Sequence, residues 1–228
     1  GIAYYTKAEK SGNKNKDYIY FQIGLLNRYL NKGDKAKASF SRLIQEFPQS
    51  PKADHAYFQM SQMEFESGNN AKAIESYRKF MIKYPSSDFI PFALLNQAVA
   101  FDNEENSVSC ISNYKEILDR FPRHQTANSA LLGLQDKYTA GQFDEFDGYL
   151  RKFKQANPNS DALENIEFES ARASYYSQKY DLAIRGFEDF IKSYPKSSLI
   201  VESKYLIADA YYRQQHYDKS LSYFKELR

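Results

Sequence analysis

Apolar side chains return along this chain in steps of four, three and four. The pattern reads Ala36, Phe40, Leu43, Phe47, then Ala73, Tyr77, Phe80, Tyr84, then Cys110, Tyr114, Ile117, Phe121, and later Ala183, Phe187, Phe190, Tyr194. That spacing places each set on one stripe of an amphipathic helix. A looser copy runs Phe146, Leu150, Phe153, Asn157, and a last one runs Ser220, Phe224, Leu227. The first residue of the stripe is mostly small, as expected where two helices cross closely. Five of the stripes end at a proline, and Pro48, Pro85, Pro122, Pro158 and Pro195 lie 37, 37, 36 and 37 residues apart. Proline cannot continue a helix, so each marks a stop. The even spacing is that of an internal repeat.

Before every stripe lies a second apolar-periodic segment, set off by a short break. The breaks fall at Lys32-Gly33-Asp34, Ser67-Gly68-Asn69, Asp102 to Asn106, Ala140-Gly141-Gln142, Gln178-Lys179 and Gln214-Gln215. Glycine and asparagine there supply a helix C-cap and a tight turn. The pattern therefore predicts six helical hairpins. Their first helices lie near 16–31, 52–67, 88–102, 124–140, 160–177 and 198–214, and their second helices near 34–46, 70–84, 106–121, 143–156, 180–194 and 217–227.

Composition narrows the functional classes. With 228 residues, 42% hydrophobic and 26% charged, the chain holds a real core. Sparse Gly and Pro beside 20 Tyr and 17 Phe suit a helical protein packed with aromatics. The formal net charge is +2 and neither half is markedly basic, which argues against nucleic acid as a partner. One cysteine, Cys110, cannot form an intramolecular disulfide, and three scattered histidines make no metal site. The most apolar stretch, Phe92 to Phe101, is broken by Asn96 and Gln97 and is too short to span a bilayer. The opening Gly-Ile-Ala-Tyr-Tyr lacks the basic-then-apolar order of a signal peptide.

A helix-turn-helix unit of roughly 34 residues, with small residues at the crossings and a closing proline, resembles the tetratricopeptide repeat. The small site of the first helix holds Gly24, Ser61, Ala98, Leu134, Ala171 and Ala208, and that of the second holds Ala36, Ala73, Cys110, Phe146, Ala183 and Ser220. An aromatic or leucine follows at Phe40, Tyr77, Tyr114, Leu150, Phe187 and Phe224. Repeat four departs at both small sites, so its hairpin is expected to be splayed or shifted in register. The phrase from Ala183-Ile184 through Phe187, Phe190-Ile191 and Tyr194-Pro195 to Ser197 is similar to tetratricopeptide domains of bacterial envelope proteins, of the outer-membrane assembly lipoprotein and Tol–Pal partner types.

The resemblance implies an all-α, right-handed superhelical solenoid spanning residues 1–228. Residues 1–15 would end an upstream repeat, and the repeats would occupy 16–50, 51–87, 88–123, 124–159, 160–197 and 198–228. Neither end reads as a polar capping unit, so the segment is expected to be an internal slice of a longer chain, able to self-associate through uncapped end repeats. First helices would line the concave groove. The side chains expected there include Tyr18, Phe21, Gln22, Leu25, Phe58, Gln62, Phe92 and Asn96, with Gln135, Arg172, Tyr205 and Asp209 in the later repeats. In the first three repeats the groove is aromatic and amide-bearing with almost no formal charge. That disfavours a clamp for carboxylates and suits an extended peptide or a partner helix.

Nothing in the sequence reads as catalytic. Cys110 occupies a small buried site, and His55, His124 and His216 share no helical pairing and read as surface or turn residues. The carboxylate runs Asp102 to Glu105 and Asp144 to Asp147 sit at turns or helix starts, where negative charge suits the helix dipole. No phosphate loop, nucleophile elbow or cofactor motif occurs. The first functional reading is a non-catalytic scaffold that holds a peptide or protein partner in the groove, within a periplasmic or outer-membrane assembly. The second is a rigid spacer or regulatory arm of a larger cytoplasmic protein.

Overall fold

The computed structural model describes residues 3, 5, 7 and 15–227. Among the described residues it is all-helical, without strands. In chain order the helices are α1 (Lys16–Tyr29), α2 (Gly33–Glu46), α3 (Ala53–Glu66), α4 (Asn70–Lys83), α5 (Ile90–Asn103), α6 (Ser107–Arg120), α7 (Thr126–Thr139), α8 (Phe146–Ala156), α9 (Leu163–Tyr176), α10 (Tyr180–Ser193), α11 (Ile200–Arg213) and α12 (Tyr217–Lys225). They form six antiparallel hairpins, the helical-hairpin solenoid that the repeat predicts. Of the segment expected to end an upstream repeat, Ala3, Tyr5 and Lys7 are helical, and the Tyr5 ring meets the edge of Tyr18 at 6.3 Å. The rest of residues 1–14, and Arg228 at the end of the last repeat, lie outside the described residues.

Each hairpin turns on one residue of left-handed backbone: Asn31, Gly68, Glu105, Gly141, Gln178 and Gln215, with φ between 56° and 75°. At Asn31 the turn closes by Asn31 N–H donating to the Arg28 carbonyl and Lys32 N–H to the Asn27 carbonyl at 2.8 Å. These two bonds cap otherwise orphaned carbonyls at the helix end. The same pair recurs at Glu105, Gly141, Gln178 and Gln215. Here the structure corrects the expectation for the first break. Gly33 is the first residue of α2, and Asn31 takes the left-handed cap two residues earlier, because asparagine tolerates that conformation.

Between hairpins, the proline phrase builds a fixed corner. Ser50 N–H donates to the Phe47 carbonyl at 2.9 Å, Ala53 N–H donates to the Ser50 carbonyl, and Lys52 N–H donates to Ser50 Oγ. The Ser50 hydroxyl then reaches back to Asp17 of α1 at 2.7 Å, and Ser87 does the same to Asp54 of α3, also at 2.7 Å. A serine two residues beyond Pro48 and Pro85 thus ties the first and second hairpins to the corners that follow them.

The chain divides into two compact units, Gly1–Asn113 and Tyr114–Arg228. In the first, Phe40, Leu43, Tyr77 and Phe80 are fully enclosed, and Gly24 lets α1 lie against Phe40, whose ring a Cβ at that position would overlap. Each enclosed Phe contributes about 1.5–3 kcal/mol of burial. Amide side chains lock helix to helix inside this apolar core. Gln97 donates to the Ile74 carbonyl at 2.8 Å, and Asn113 donates to the Leu94 carbonyl at 3.2 Å and to Gln97 Oε1 at 3.0 Å. In the second unit Phe168, Phe187 and Phe190 make the same enclosed cluster with Ala171 and Ala183. Cys110 is buried.

Repeat four shows what two large residues at small sites do. Phe146 is fully buried and stacks on Tyr138, with ring centroids 5.5 Å apart, and Leu134 is buried as well. Filling the crossing with a ring shortens the second helix. Residues 143–145 stay out of helix, and α8 has 11 residues where α2 and α4 have 14. The small side chain moves one position along, to Gly133, where a Cβ would overlap the Tyr114 ring.

Candidate ligand-binding face

The first helices of neighbouring repeats lie side by side within each unit, so the residues expected in a groove share one face of α1, α3 and α5, and another of α7, α9 and α11. On the first of these faces Tyr18 is 44% exposed, and Gln22, Leu25, Gln62, Phe92, Leu95, Asn96 and Val99 are half-buried. Phe21 and Phe58 are not available to a ligand. Phe21 is 4% exposed against Phe40 and His55, and Phe58 is 6% exposed among Tyr77, Phe80, Phe89 and Phe92. Both form the wall beneath the face. Asn96 donates to the Tyr77 hydroxyl at 3.0 Å, and burial pushes that phenol well above its ordinary range.

His55 is the histidine that departs from the surface reading. Its ring is sandwiched between Phe89 at 4.4 Å and Phe21 at 4.8 Å, and Nε2 lies 3.2 Å from the Gln59 amide. Burial lowers its pKa, with Lys52 and Arg28 acting in the same direction and Asp54 opposing them. A cation also reaches this face. Arg28 donates to Gln59, to Gln62 at 3.3 Å and to Glu66. It escaped the sequence reading because it lies beyond the positions that the repeat pattern directs inward; its pairing with Glu66 keeps the face nearly neutral.

The second unit's face differs in character. Leu132 is 40% exposed and Tyr205 52% exposed, the latter edge-on to Phe224 at 6.0 Å. Gln135 is buried, and its amide donates to the Ile166 carbonyl at 2.9 Å, so it joins helices and does not line the surface. Arg172 pairs with Glu169 at 2.7 Å and faces Glu202 at 3.9 Å. Asp209 accepts from Tyr175 and from Arg213. Burial works against its charge, but those two donors win and hold the carboxyl below its usual value. Gln135, Arg172 and Asp209 are thus already engaged within the chain.

Among the described residues no cluster of three or more His, Cys, Asp or Glu side chains could hold a metal ion, and no helix is long and apolar enough to cross a membrane. Sequence profiles described as the tetratricopeptide repeat match residues 18–50, 55–87 and 168–228, together just over half of the chain. The chain belongs to the tetratricopeptide-repeat family. Solved structures of tetratricopeptide-repeat proteins share its fold. The C-terminal part of a repeat-containing protein from Cytophaga hutchinsonii matches with a TM-score of 0.62 at 17% identity, over 99% of this chain and 87% of that one. A tetratricopeptide repeat protein from Parabacteroides merdae gives 0.57 at 15% identity, over 93% and 79%. YrrB, described as a repeat protein with an unusual peptide-binding site, gives 0.56 at 12% identity, over 90% and 99%. No curated protein sequence matched. Tetratricopeptide repeats in general mediate contacts between proteins, and the fold is typically a non-catalytic scaffold.

Proposed function

We propose that this tetratricopeptide-repeat chain is a non-catalytic scaffold, and that the face of α1, α3 and α5 holds an uncharged, aliphatic or aromatic segment of a protein partner. One observation carries the reading. Tyr18, Leu25, Phe92, Leu95 and Val99 stay accessible on a single face, between the amides of Gln22, Gln62 and Asn96, and Arg28 beside them is neutralised by Glu66. Apolar anchors among uncharged hydrogen-bonding groups suit a peptide backbone better than a charged terminus. The peptide-binding description of YrrB is consistent with such use of the fold. The finer placement, in a bacterial envelope assembly, rests on the Phe190-Ile191 to Tyr194-Pro195-x-Ser197 phrase of the sequence.

Site-specific photocrosslinking tests the face. A benzoyl-phenylalanine at position 25 or 95 is expected to trap the same partner from source-cell extract, and the variant Tyr18→Ser, Leu25→Gln, Val99→Gln is expected to lose it while keeping its helical circular dichroism. Crosslinks from exposed positions on second helices alone would move the site elsewhere. Absence of any crosslinked partner would favour the spacer reading.

A further inference from the structure

A cavity of about 680 Å3 opens in the second unit on the side away from the first-helix face, between α8 and α10 with α9 as its floor. Its size falls within the range of about 300–1,000 Å3 usual for ligand sites. The floor is made of small residues, Ser170, Ala171 and Ser174, and Gly186 brings α10 close enough that a Cβ there would lie 2.9 Å from that of Ala171.

The first unit shows that the repeat does not require this cavity. At the equivalent positions of α3, Tyr57, Met60 and Glu64 stand where α9 carries Glu167, Ser170 and Ser174. Tyr57 lies against Phe80 and Tyr84, Met60 Sδ accepts from Ser41 at 3.7 Å, and Glu64 closes the crevice with Lys37 of α2 at 2.6 Å. In the second unit two serines replace the filling side chains, and the crevice is open. The one floor carboxylate is already saturated. Glu167, with a side chain 9% exposed, accepts from Lys154 at 2.9 Å and from the Tyr194 hydroxyl at 2.8 Å.

The walls are not saturated. Arg151 on α8, and Arg185 and Lys192 on α10, enter no hydrogen bond or ion pair among the described residues. Two carboxylates, Asp147 and Asp189, share the walls with these three cations, and because Glu167 is paired with Lys154 the lining carries one net positive charge. We infer that this crevice is a second binding site, for an acidic peptide segment of a partner protein whose small side chains enter over Ser170 and Ser174 while its carboxylates meet Arg151, Arg185 and Lys192. It is independent of the face proposed above.

The test is a selection of random decapeptides displayed on phage against the whole chain, with affinities of the winners measured by fluorescence anisotropy on synthetic peptides. Winners are expected to carry two or more Asp or Glu flanked by Ala, Gly or Ser. They should bind at least tenfold more weakly to Arg185→Glu, Lys192→Glu, whose altered side chains are exposed, and to Ser170→Met, Ser174→Glu, which copies the filled crevice of the first unit. They should be unaffected by Tyr18→Ser, Leu25→Gln, Val99→Gln. If the filled variant fails to fold, the charge-reversed one carries the test alone. Winners without acidic residues, winners insensitive to charge reversal at 185 and 192, equal competition by inorganic phosphate at matched charge, or no winners at all would overturn the assignment.

Discussion

Gly141 and Gly148 lie seven residues apart in repeat four, and a Cβ added to either would meet no atom within 4 Å. Sterically the two sites are equally free, yet alanine is expected to act in opposite directions. Gly141 has φ of +71° in the turn after α7, where Gly141 N–H donates to the Tyr138 carbonyl and Gln142 N–H to the Lys137 carbonyl. An L-residue pays about 1–2 kcal/mol for left-handed backbone, and the stiffer unfolded chain returns about 0.4–1 kcal/mol. Gly141→Ala should therefore destabilise by about 1 kcal/mol. Gly148 is the third residue of α8, where glycine is about 0.8–1.0 kcal/mol worse than alanine in a helix interior and less so this close to the end. Gly148→Ala should stabilise by about 0.5 kcal/mol. Repeat arrays need not unfold in one step. The difference of about 1.5 kcal/mol is thus best read locally, by native-state hydrogen exchange of the α7 and α8 amides, with urea denaturation followed at 222 nm as a second measure. Changes of the same sign at both sites would refute the claim that backbone conformation alone decides these positions.

Gly24→Ala should cost about 1–3 kcal/mol, since the new Cβ overlaps Phe40 in a closed core, and a thermal melt unchanged by it would contradict the packing described for α1. His55 has a folded pKa below its unfolded value of 6.5, so the unfolded chain binds the proton more readily and stability is lost as pH falls from about 6.5 through the folded pKa. His55→Phe should abolish that slope in urea midpoints taken between pH 7.5 and 5, and an unchanged slope would place the titrating group elsewhere. Removing Asp54, Ser87 or both should reveal a coupling of about 0.5–1 kcal/mol in a double-mutant cycle, and strictly additive losses would show that the corner serine does not join the hairpins.

Most of the architecture was legible because the crossings and stops are written in residue type. Ala36, Ala73 and Ala183 had to be small, and Pro48, Pro85 and Pro195 had to end helices. The turns were harder, since four of the six left-handed positions carry Asn, Glu or Gln in place of Gly, and the capping bonds that hold them come from backbone atoms with no side-chain signature. The face was only partly legible. Helical spacing directs Phe21 and Phe58 towards the same side as Tyr18 and Leu25, but whether a ring lies on the surface or under it depends on the neighbours His55 and Phe89, which belong to other repeats and to a loop. The crevice over Ser170 and Ser174 had no sequence signal of its own. It emerges when those serines are set beside Met60 and Glu64 of the matching repeat.

The buried amides of Gln97 and Asn113 act as notches between helices. Sliding α5 along α4 by a single residue would part Gln97 from the Ile74 carbonyl and strand donor and acceptor without water, at about 1–3 kcal/mol for each group left unpaired. Apolar packing alone tolerates small slips, whereas a hydrogen bond to one particular carbonyl does not. The side chains of α3 and α5 that a partner would touch are therefore held at a fixed pitch along the first unit. A ligand that fits this ruler must bring matching spacing of its own, and one with anchors a residue too close or too far gains little by flexing the protein.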